Sequence, residues 1–194
     1  MSTPSSFHLL LAITGASGAC YPVRLLEKLS CQTNINLSIV MTKNAREVWE
    51  YECAKPLPQT PQWRYWDCND FLAPFASGSN PVDSMLVLPC SMGTLARIAH
   101  GISDNLISRA ADVQLKEGRP LVLVPRESPY NLIHLQNMTL LAQAGAIIAP
   151  ASPPFYHHPK NITSLIDPFI DRLLFLCGAD KKYQGYQWRT NTPL

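Results

Sequence analysis

The sequence predicts a three-layer α/β protein built on a doubly wound parallel sheet. Short continuous apolar runs such as Phe7 to Ile13 and Leu121 to Val124 are typical of strands buried on both faces of a parallel sheet. Segments with helical patterning alternate with these runs along the chain. The length of 194 residues fits one domain with a sizeable core. We expect residues 1–178 to form this domain and residues 179–194 to form a tail.

The first half of the chain alternates predicted strands and helices. Pro22 lies in the first turn of the first helix, where proline is tolerated. Thr42 can cap the second helix through its hydroxyl group. We predict a strand at 7–13, a helix at 19–30, a strand at 37–41, a helix from 43 to about 52, an irregular proline-rich stretch at 55–82 with a short strand near Trp63 and a short helix near Phe71, and a strand at 85–88.

The second half continues the alternation and ends in a polar, aromatic tail. Thr163 can cap the last long helix, whose apolar face runs from Leu165 to Leu174. The aromatic residues of the 179–194 tail argue against disorder, and we expect the tail to pack on a neighbouring subunit. We predict helices at about 91–100 and 105–116, a strand at 121–124, a helix at 133–144 and a strand at 146–149.

Charge, composition and cysteine spacing exclude several kinds of partner and site. Net charge is +2 and no Lys/Arg cluster occurs, so neither nucleic acid nor a membrane is an expected partner. Charged residues make up 15% of the chain, below the typical value of roughly 25%, which favours a homo-oligomer with covered surface. The six cysteines form no C-x-x-C pair, so we expect buried reduced thiols and no zinc site. No Lys or Arg precedes Arg24, which argues against a secretion signal and for a cytoplasmic protein.

Ligands of doubly wound sheets bind beyond the carboxyl ends of the strands. Four segments follow predicted strands directly, so we expect them to share one edge of the sheet. These segments are Thr14–Ala19, Met41–Lys43, Pro89–Thr94 and Pro125–Pro129. The sequence therefore predicts a binding site where the four segments meet.

Three of these segments carry residues suited to an anionic ligand, and each also has a plainer interpretation. Backbone N–H groups of the Gly15–Gly18 turn can bind an anion at a helix start, or the turn is a tight connection without a ligand. Ser91 to Thr94 offers hydroxyl groups and a glycine, or an ordinary N-cap. Arg126 offers a planar fork to a phosphate and Glu127 a proton shuttle, or the two form a local surface ion pair.

Tyr156 and Lys160 have a Y-x-x-x-K spacing but do not indicate a dehydrogenase. Pro159 would disrupt the helical turn that brings the two side chains to one face. His157 and His158 are adjacent, so on a regular helix or strand they point in different directions, and no metal site is predicted. The other three histidines are expected to be structural: His8, His100 and His134.

Taken together, these motifs resemble the UbiX-like flavin prenyltransferases over almost the whole chain, with 55–82 matching least well. The strongest matches are Gly15-Ala-Ser-Gly-Ala19 with Arg24-Leu-Leu26, Pro89-Cys-Ser-Met-Gly-Thr94, Ser103-Asp-Asn-Leu106 and Arg109-Ala-Ala-Asp-Val113. Further matches are Leu115-Lys-Glu117, Arg119-Pro-Leu-Val-Leu123, Pro125-Arg-Glu127, Ile133-His-Leu135 and Phe155-Tyr-His157. Pro22, Gly118 and Ser128 depart from the pattern, since many members have Gly, Arg and Thr there.

The resemblance implies a Rossmann-like (flavodoxin-like) fold and a dodecamer with FMN at subunit junctions. It implies that the chain joins the dimethylallyl group of dimethylallyl phosphate to reduced FMN without a metal. One bond forms at the central-ring nitrogen and a second at a nearby carbon of the benzenoid ring. The prenylated FMN then serves a separate decarboxylase of the ubiquinone-pathway or aromatic-acid type.

The resemblance also assigns roles to residues at matching positions. It implies FMN contacts at Gly15, Ala16, Ser17, Thr42, Ser91, Met92, Gly93, Thr94 and Arg126. It implies a site for the donor phosphate at Arg109, Lys116, Tyr156 and Arg172. Catalytic roles go to Glu127 as acid/base, to Ser17 and to Glu52, and Trp188 is the candidate for a tail aromatic near the site. Cationic groups can stabilise a leaving phosphate, and aromatic faces can stabilise an allylic cation.

Two alternatives are kept. Flavin-dependent cysteine decarboxylases share the fold but require an early catalytic histidine, and no histidine lies between His8 and His100. A non-catalytic flavin-binding partner subunit of a decarboxylase is disfavoured by the intact candidate site residues, but the sequence leaves it open.

Overall fold

A computed structural model describes residues 6–53, 55–180 and 185–186 of the chain. Its strands are β1 (Phe7–Ile13), β2 (Ile35–Met41), β3 (Trp63–Trp66), β4 (Ser84–Cys90), β5 (Leu121–Pro125) and β6 (Ile147–Ile148). Its helices are α1 (Cys20–Leu29), α2 (Lys43–Cys53), α3 (Met92–Ala99), α4 (Leu106–Lys116), α5 (Leu132–Gln143) and α6 (Ile162–Leu176), and a short 3₁₀ helix covers Pro74–Ala76.

The strands form one parallel sheet in the order β3-β2-β1-β4-β5-β6. The chain leaves β1 toward one edge of the sheet, returns to β4 beside β1 and then continues toward the other edge. Without the short edge strand β3, the order is the flavodoxin-like one; with β3, it is the order of the dinucleotide-binding Rossmann fold. The prediction of a doubly wound sheet is therefore confirmed, and its switch point lies between β1 and β4.

Helices cover both faces of the sheet because side chains of each strand alternate between the faces. Leu9 and Leu11 of β1 pack with α1, α2 and α6, which we call the first layer. Leu10 and Ala12 pack with α3, α4 and α5, which we call the second layer. The four leucine and alanine side chains are fully buried, so β1 lies at the centre of the core.

Helix starts show where local chemistry was predicted correctly and where it was not. Thr42 caps α2 as predicted, since its Oγ1 accepts a hydrogen bond from the Ala45 N–H at 3.1 Å. The prediction of Thr163 as the cap of α6 is wrong. Asn161 holds that position, because its side chain accepts from the Ser164 N–H at 2.8 Å and Ser164 bonds back to the Asn161 N–H at 3.1 Å.

The proline-rich stretch contains the predicted strand near Trp63, which becomes the edge strand β3. The short helix predicted near Phe71 is wrong in position, because the 3₁₀ helix starts at Pro74, whose fixed φ suits the first turn. The cysteines are free, but Cys20 and Cys31 are exposed and so differ from the buried thiols that we expected. Burial raises the pKa of Cys90 and of Cys177 to about 12, so these two are inert core residues.

Within the described residues, no helix is both long and apolar enough to cross a membrane. The same part of the chain contains no group of three or more His, Cys, Asp or Glu side chains placed to hold a metal ion.

Candidate active site

Hydrogen bonds between loops join the carboxyl ends of the strands into one edge. The Thr42 N–H donates to the Ile13 carbonyl at 3.1 Å and connects the ends of β2 and β1. The Arg126 N–H donates to the Cys90 carbonyl at 3.3 Å and connects the ends of β5 and β4. The segments that sequence analysis selected as one site therefore do meet at one edge of the sheet.

Thr14 connects the two strands at the switch point. Its buried Oγ1 donates to the Pro89 carbonyl at 2.8 Å and accepts from the Ser91 N–H at 2.7 Å. One hydroxyl group thus fixes the end of β1 against the end of β4, where ligands of this fold bind. Sequence analysis included Thr14 in one of the four site segments but gave its hydroxyl group no role, and its one signal was a polar residue that ends an apolar strand.

The glycine turn after β1 lies directly against the start of α2. A Cβ atom at Gly15 would lie 2.5 Å from the Asn44 Cβ, a distance that real Cβ atoms do not show. Glycine is therefore required for α2 to approach the turn this closely. The approach brings the predicted flavin contacts Ala16, Ser17 and Thr42 to one side of the site.

Glu52 at the end of α2 reaches the same turn. Its Oε2 accepts hydrogen bonds from the N–H groups of Gly18 at 2.9 Å and Ala19 at 2.7 Å. Burial would raise the pKa of Glu52, but hydrogen bonds from Ser17, Ala19 and Gly18 and the charge of Arg126 together lower it. The ionised carboxylate therefore caps α1. Because the Gly18 and Ala19 amides already donate to Glu52, these two amides do not bind an anionic ligand, and for them the turn is a tight connection. Sequence analysis placed Glu52 in the site without this capping contact.

Ser91 caps α3 through its side chain. Its Oγ accepts from the Thr94 N–H at 3.3 Å and donates to the Thr94 Oγ1 at 3.1 Å. Met92 and Thr94 are buried, whereas Gly93 is exposed at the edge of the sheet. The N-cap interpretation is thus right for the Ser91 hydroxyl, and the exposed backbone at Gly93 leaves room for a flat ligand beside the turn.

Arg126 and Glu127 are exposed directly after β5. The Glu127 Oε1 accepts from the Ser128 N–H at 3.0 Å. These two described residues form no ion pair with each other, so the local surface pair is not what the structure shows. The charge of Arg126 instead acts on Glu52 and on Tyr21. Arg126 therefore lies close enough to Glu52 and Tyr21, at the glycine turn, for its charge to act on both.

A cavity of about 390 Å³ lies beside α6, and we call it the second cavity to distinguish it from the crevice at the edge of the sheet. Tyr156 and Arg172, both predicted to bind the donor phosphate, line it. Tyr186 of the tail also lines it, with its ring centroid 5.1 Å from that of Tyr156. The full lining is Ser152, Pro154, Tyr156, Pro168, Phe169, Arg172 and Tyr186.

One chain does not bring Arg109 and Lys116 to this cavity. The Arg109 Nε donates to the Ala76 carbonyl at 2.9 Å, and Lys116 pairs with Glu117. Both cations belong to α4 in the second layer, across the sheet from α6. Sequence position did not reveal this separation because it does not tell which face a helix covers. Trp188 lies outside the described residues.

Four histidines make structural contacts among the described residues, and this was expected for His8, His100 and His134. The His157 Nε2 shares a hydrogen bond with the Ser164 carbonyl at 2.9 Å. His100 does so with the Asn137 side chain at 3.0 Å, and His8 with the Ser38 Oγ at 2.9 Å. His134 completes the capping box of α5 with Asn131.

A doubly wound sheet with a glycine turn, hydroxyl-bearing helix caps and an arginine at its switch point defines a nucleotide-cofactor-binding protein. A family model described as Flavoprotein matches residues 2–170. The chain is 44% identical to the flavin prenyltransferase UbiX of Pseudomonas aeruginosa, over 92% of this chain and 91% of that protein. The chain belongs to the UbiX family of flavin prenyltransferases.

Solved structures agree with this assignment. A dodecameric FMN-dependent UbiX-like decarboxylase from Escherichia coli O157:H7 is 38% identical with a TM-score of 0.85, over 94% of this chain and 100% of that one. AnUbiX (PadA1), in complex with FMN and dimethylallyl pyrophosphate, is 40% identical with a TM-score of 0.81, over 93% of this chain and 99% of that one. The sequence-based identification of the family is confirmed, and the cysteine decarboxylase alternative is set aside.

Proposed function

We propose that this chain transfers the dimethylallyl group of dimethylallyl phosphate to reduced FMN and releases prenylated FMN and phosphate. The observation that carries the proposal is the pairing of two adjoining subsites. Helix α1 begins at the glycine turn, and α6 carries Arg172 of the second cavity. The two helices are joined by the Arg24–Asp167 ion pair, with its atoms at 2.5 and 3.0 Å. A flavin at the turn and a donor phosphate in the cavity would therefore be neighbours.

The flavin subsite offers donors of the kind that FMN requires. The Thr42 hydroxyl and the guanidinium of Arg126 supply donors at the edge, and because the Ser91 hydroxyl donates to Thr94, the Thr94 hydroxyl is left to donate. Since the Gly18 and Ala19 amides bond to Glu52, the anion of FMN is assigned to Arg126 and to the hydroxyl groups. The proposed FMN contacts are Gly15, Ala16, Ser17, Thr42, Ser91, Met92, Gly93, Thr94 and Arg126.

The donor subsite would stabilise a leaving phosphate. When the carbon–oxygen bond of the donor breaks, the electron pair leaves with the phosphate, and the cationic Arg172 and the Tyr156 hydroxyl hold the growing negative charge. Reduced FMN supplies the nitrogen and carbon that form the two new bonds. Arg109 and Lys116 would enter this site from a neighbouring copy of the chain, since one chain places them in the other layer.

Proton transfer is assigned to the loop after β5. Bond formation at the flavin nitrogen releases one proton, which the departing phosphate accepts. Ring closure adds one proton to the alkene carbon of the prenyl group and removes one from the ring carbon, and Glu127 would carry out this exchange as acid and base. Glu127 is exposed at the edge of the crevice and bonds to the Ser128 N–H, which leaves its second oxygen for such a role. Ser17 and the ionised Glu52 lie on the opposite side of the flavin subsite and orient it.

Assembly is proposed as a dodecamer of identical chains. Helix α5 exposes apolar side chains that a monomer would not leave in water, namely Leu132 at 68%, Ile133 at 65%, Leu135 at 48% and Leu140 at 45%. A groove of about 540 Å³ runs along this helix. A second copy is the proposed occupant, consistent with the dodecameric UbiX-like structure. Such packing would bring second-layer cations of one copy near the cavity of another.

Three further parts of the proposal extend the sequence-based expectations. The reaction needs no metal ion, because cationic side chains neutralise the leaving group. The product serves a separate decarboxylase of the ubiquinone-pathway or aromatic-acid type. The protein is cytoplasmic.

An anaerobic assay tests the proposed reaction. The full-length protein is incubated with reduced FMN and either dimethylallyl monophosphate or diphosphate, with chelator present, and the flavin is analysed by mass spectrometry. We expect the flavin to gain one prenyl unit and an equal amount of phosphate or diphosphate to be released. A flavin that binds but keeps its mass with both donors would overturn the proposal and support the non-catalytic partner subunit.

Glu127→Gln and Glu47→Gln form a matched pair for the proton-transfer role. Glu127→Gln is expected to slow ring closure by about 100-fold, the usual scale of acid–base catalysis. Glu47→Gln makes the same change at an exposed position of α2 and should leave the rate unchanged. Full activity of Glu127→Gln would remove its assigned role.

A further inference from the structure

Tyr21 joins the two subsites, although sequence analysis gave it no role. It is the second residue of α1, and its N–H donates to the Gly18 carbonyl at 3.0 Å. Gly18 has φ +116°, and a Cβ atom there would lie 3.0 Å from Cδ2 and 3.1 Å from Cε2 of Tyr21. The ring therefore lies directly on the glycine turn of the proposed flavin subsite.

The same ring contacts Phe169 of α6, which lines the second cavity, the proposed donor cavity. Its centroid lies 5.8 Å from that of Phe169, with an angle of 70° between the planes, which is a favourable edge-to-face contact. Phe169 lines the cavity together with Tyr156 and Arg172. Tyr21 thus contacts a wall residue of one subsite and the turn of the other.

The hydroxyl end of Tyr21 lies within the field of the site. Burial and the neighbouring Cys20 raise the pKa of Tyr21, and the positive charge of Arg126 opposes them. The phenol is therefore neutral at neutral pH and keeps an electron-rich ring beside a cationic crevice.

During transfer, the phosphate and the dimethylallyl group develop opposite charges, and the arginine side chains stabilise only the phosphate. Arg126 and Arg172 are suited to anions, but the dimethylallyl group carries positive charge once its bond to phosphate breaks. Cations placed for the phosphate repel that charge. An aromatic ring attracts a cation through its face, at about 0.5–2 kcal/mol, and does not compete for the phosphate.

Resting on the proposed function, we propose that Tyr21 is a further substrate-contacting residue. Its ring, buttressed by Phe169, forms the wall along which the dimethylallyl group passes from the donor cavity to the flavin, and it stabilises the positive charge on the allylic carbons. The donor phosphate takes the electron pair of the broken bond, and the flavin nitrogen supplies the pair of the new bond.

A fluorination series separates this role from simple packing. Tyr21→Phe keeps the ring and should transfer the prenyl group at a rate within about threefold of the wild type. Phenylalanines with one to three ring fluorines are then placed at position 21, because fluorine weakens the charge on the ring face with little change of shape. We expect the single-turnover rate to fall stepwise with each fluorine, to a total of about 3- to 30-fold. FMN affinity, measured by fluorescence titration, should stay constant.

Phe75 provides the matched control. It forms a similar edge-to-face pair with Trp66, at 5.4 Å and 86°, in the second-layer core. The same fluorinated residues at Phe75 should leave the rate unchanged. A flat rate across the Tyr21 series, in protein whose wild type does prenylate FMN, would overturn the inference alone. A wild type that leaves FMN unchanged would instead overturn the proposed function.

Discussion

The two helical layers of this protein differ in how their helices are joined. In the first layer, contacts connect the helices to one another: α1 and α6 are joined by the ion pairs Arg24–Asp167 and Lys28–Asp171, and Glu52 of α2 caps α1. The second layer leaves the apolar side chains of α5 in water and pairs its cations locally, as in Lys116–Glu117.

This difference indicates which half of the site a single chain can build. The turn, Arg126, Tyr156 and Arg172 belong to loops at the sheet edge or to the first layer. One chain places the charge of Arg126 near Glu52 at the turn, and it places Tyr156 and Arg172 around one cavity. Arg109 and Lys116 belong to the second layer, and in the proposed assembly they would reach the donor phosphate from another copy. The first layer should therefore be stable within one chain, whereas the contribution of the second-layer cations to activity should depend on assembly.

The largest expected effect comes from charging the exposed face of α5. Ile133→Glu with Leu140→Glu should prevent burial of that face, because charged groups are not buried without partners. We expect light scattering after gel filtration to show smaller particles, and prenyl transfer to fall by about tenfold or more as the second-layer cations are lost from the site.

Gln143→Glu is the control for this variant, since it adds a charge to an exposed position near the end of the same helix. It should keep both the particle mass and the activity. If the double variant keeps the wild-type mass, the α5 interface is refuted; if it becomes small but stays fully active, the dependence on a neighbouring copy is refuted.

Glu52 tests how the first layer closes. Glu52→Ala removes the acceptor of the Gly18 and Ala19 amides, and we expect a loss of about 1 kcal/mol in the free energy of unfolding, as for a lost helix cap. Glu52→Gln retains a carbonyl acceptor and should lose less. Urea denaturation measures both variants, and equal losses would show that charge rather than hydrogen bonding dominates.

The Arg24–Asp167 pair is expected to contribute less. Its side chains are each 29% exposed, so water and salt weaken the attraction, and Asp167→Asn should cost about 1 kcal/mol or less. The double variant with Arg24→Gln should cost little more than either single one, because both remove the same contact. A loss well above that size would mean that the pair, rather than apolar packing, holds α1 on α6.

The smallest expected effect is a pH dependence of stability that comes from His8, on the face of the sheet that the second layer covers. Burial, partly opposed by the Asp83 carboxylate, lowers the pKa of His8, whose ring bonds to Ser38. As the pH falls, the unfolded chain therefore binds the proton before the folded chain does. The free energy of unfolding should decrease as the pH is lowered through about 6.5 toward the folded-state pKa, and the full stability should be present at pH values above about 6.5.

Denaturation of the wild type and of His8→Gln between about pH 8 and 5.5 measures this contribution. The difference in stability between the two proteins should shrink as the pH falls. A difference that grows on acidification would mean that the protonated ring is stabilised by Asp83 and that the burial argument is wrong.

Much of the site could be predicted because its signals are local. The strand at Phe7–Ile13 has the predicted bounds, and Thr42 caps its helix as expected. The rule that ligands sit at strand ends then selected loops that the structure brings together at one edge of the sheet. Predictions failed where a nearby residue competed for the same role, as when Asn161 with its partner Ser164 displaced Thr163 as the cap of α6.

The sequence by itself determined the elements, their order and the family, because apolar periodicity, caps and motif residues act within a few positions of one another. Tertiary structure decided which distant groups meet. Glu52 lies 34 residues from Gly18 and Tyr21 lies far from Phe169 in the chain, yet both pairs are in contact. Packing alone sets such contacts, since the face that a helix buries and the turn that it approaches depend on the whole sheet.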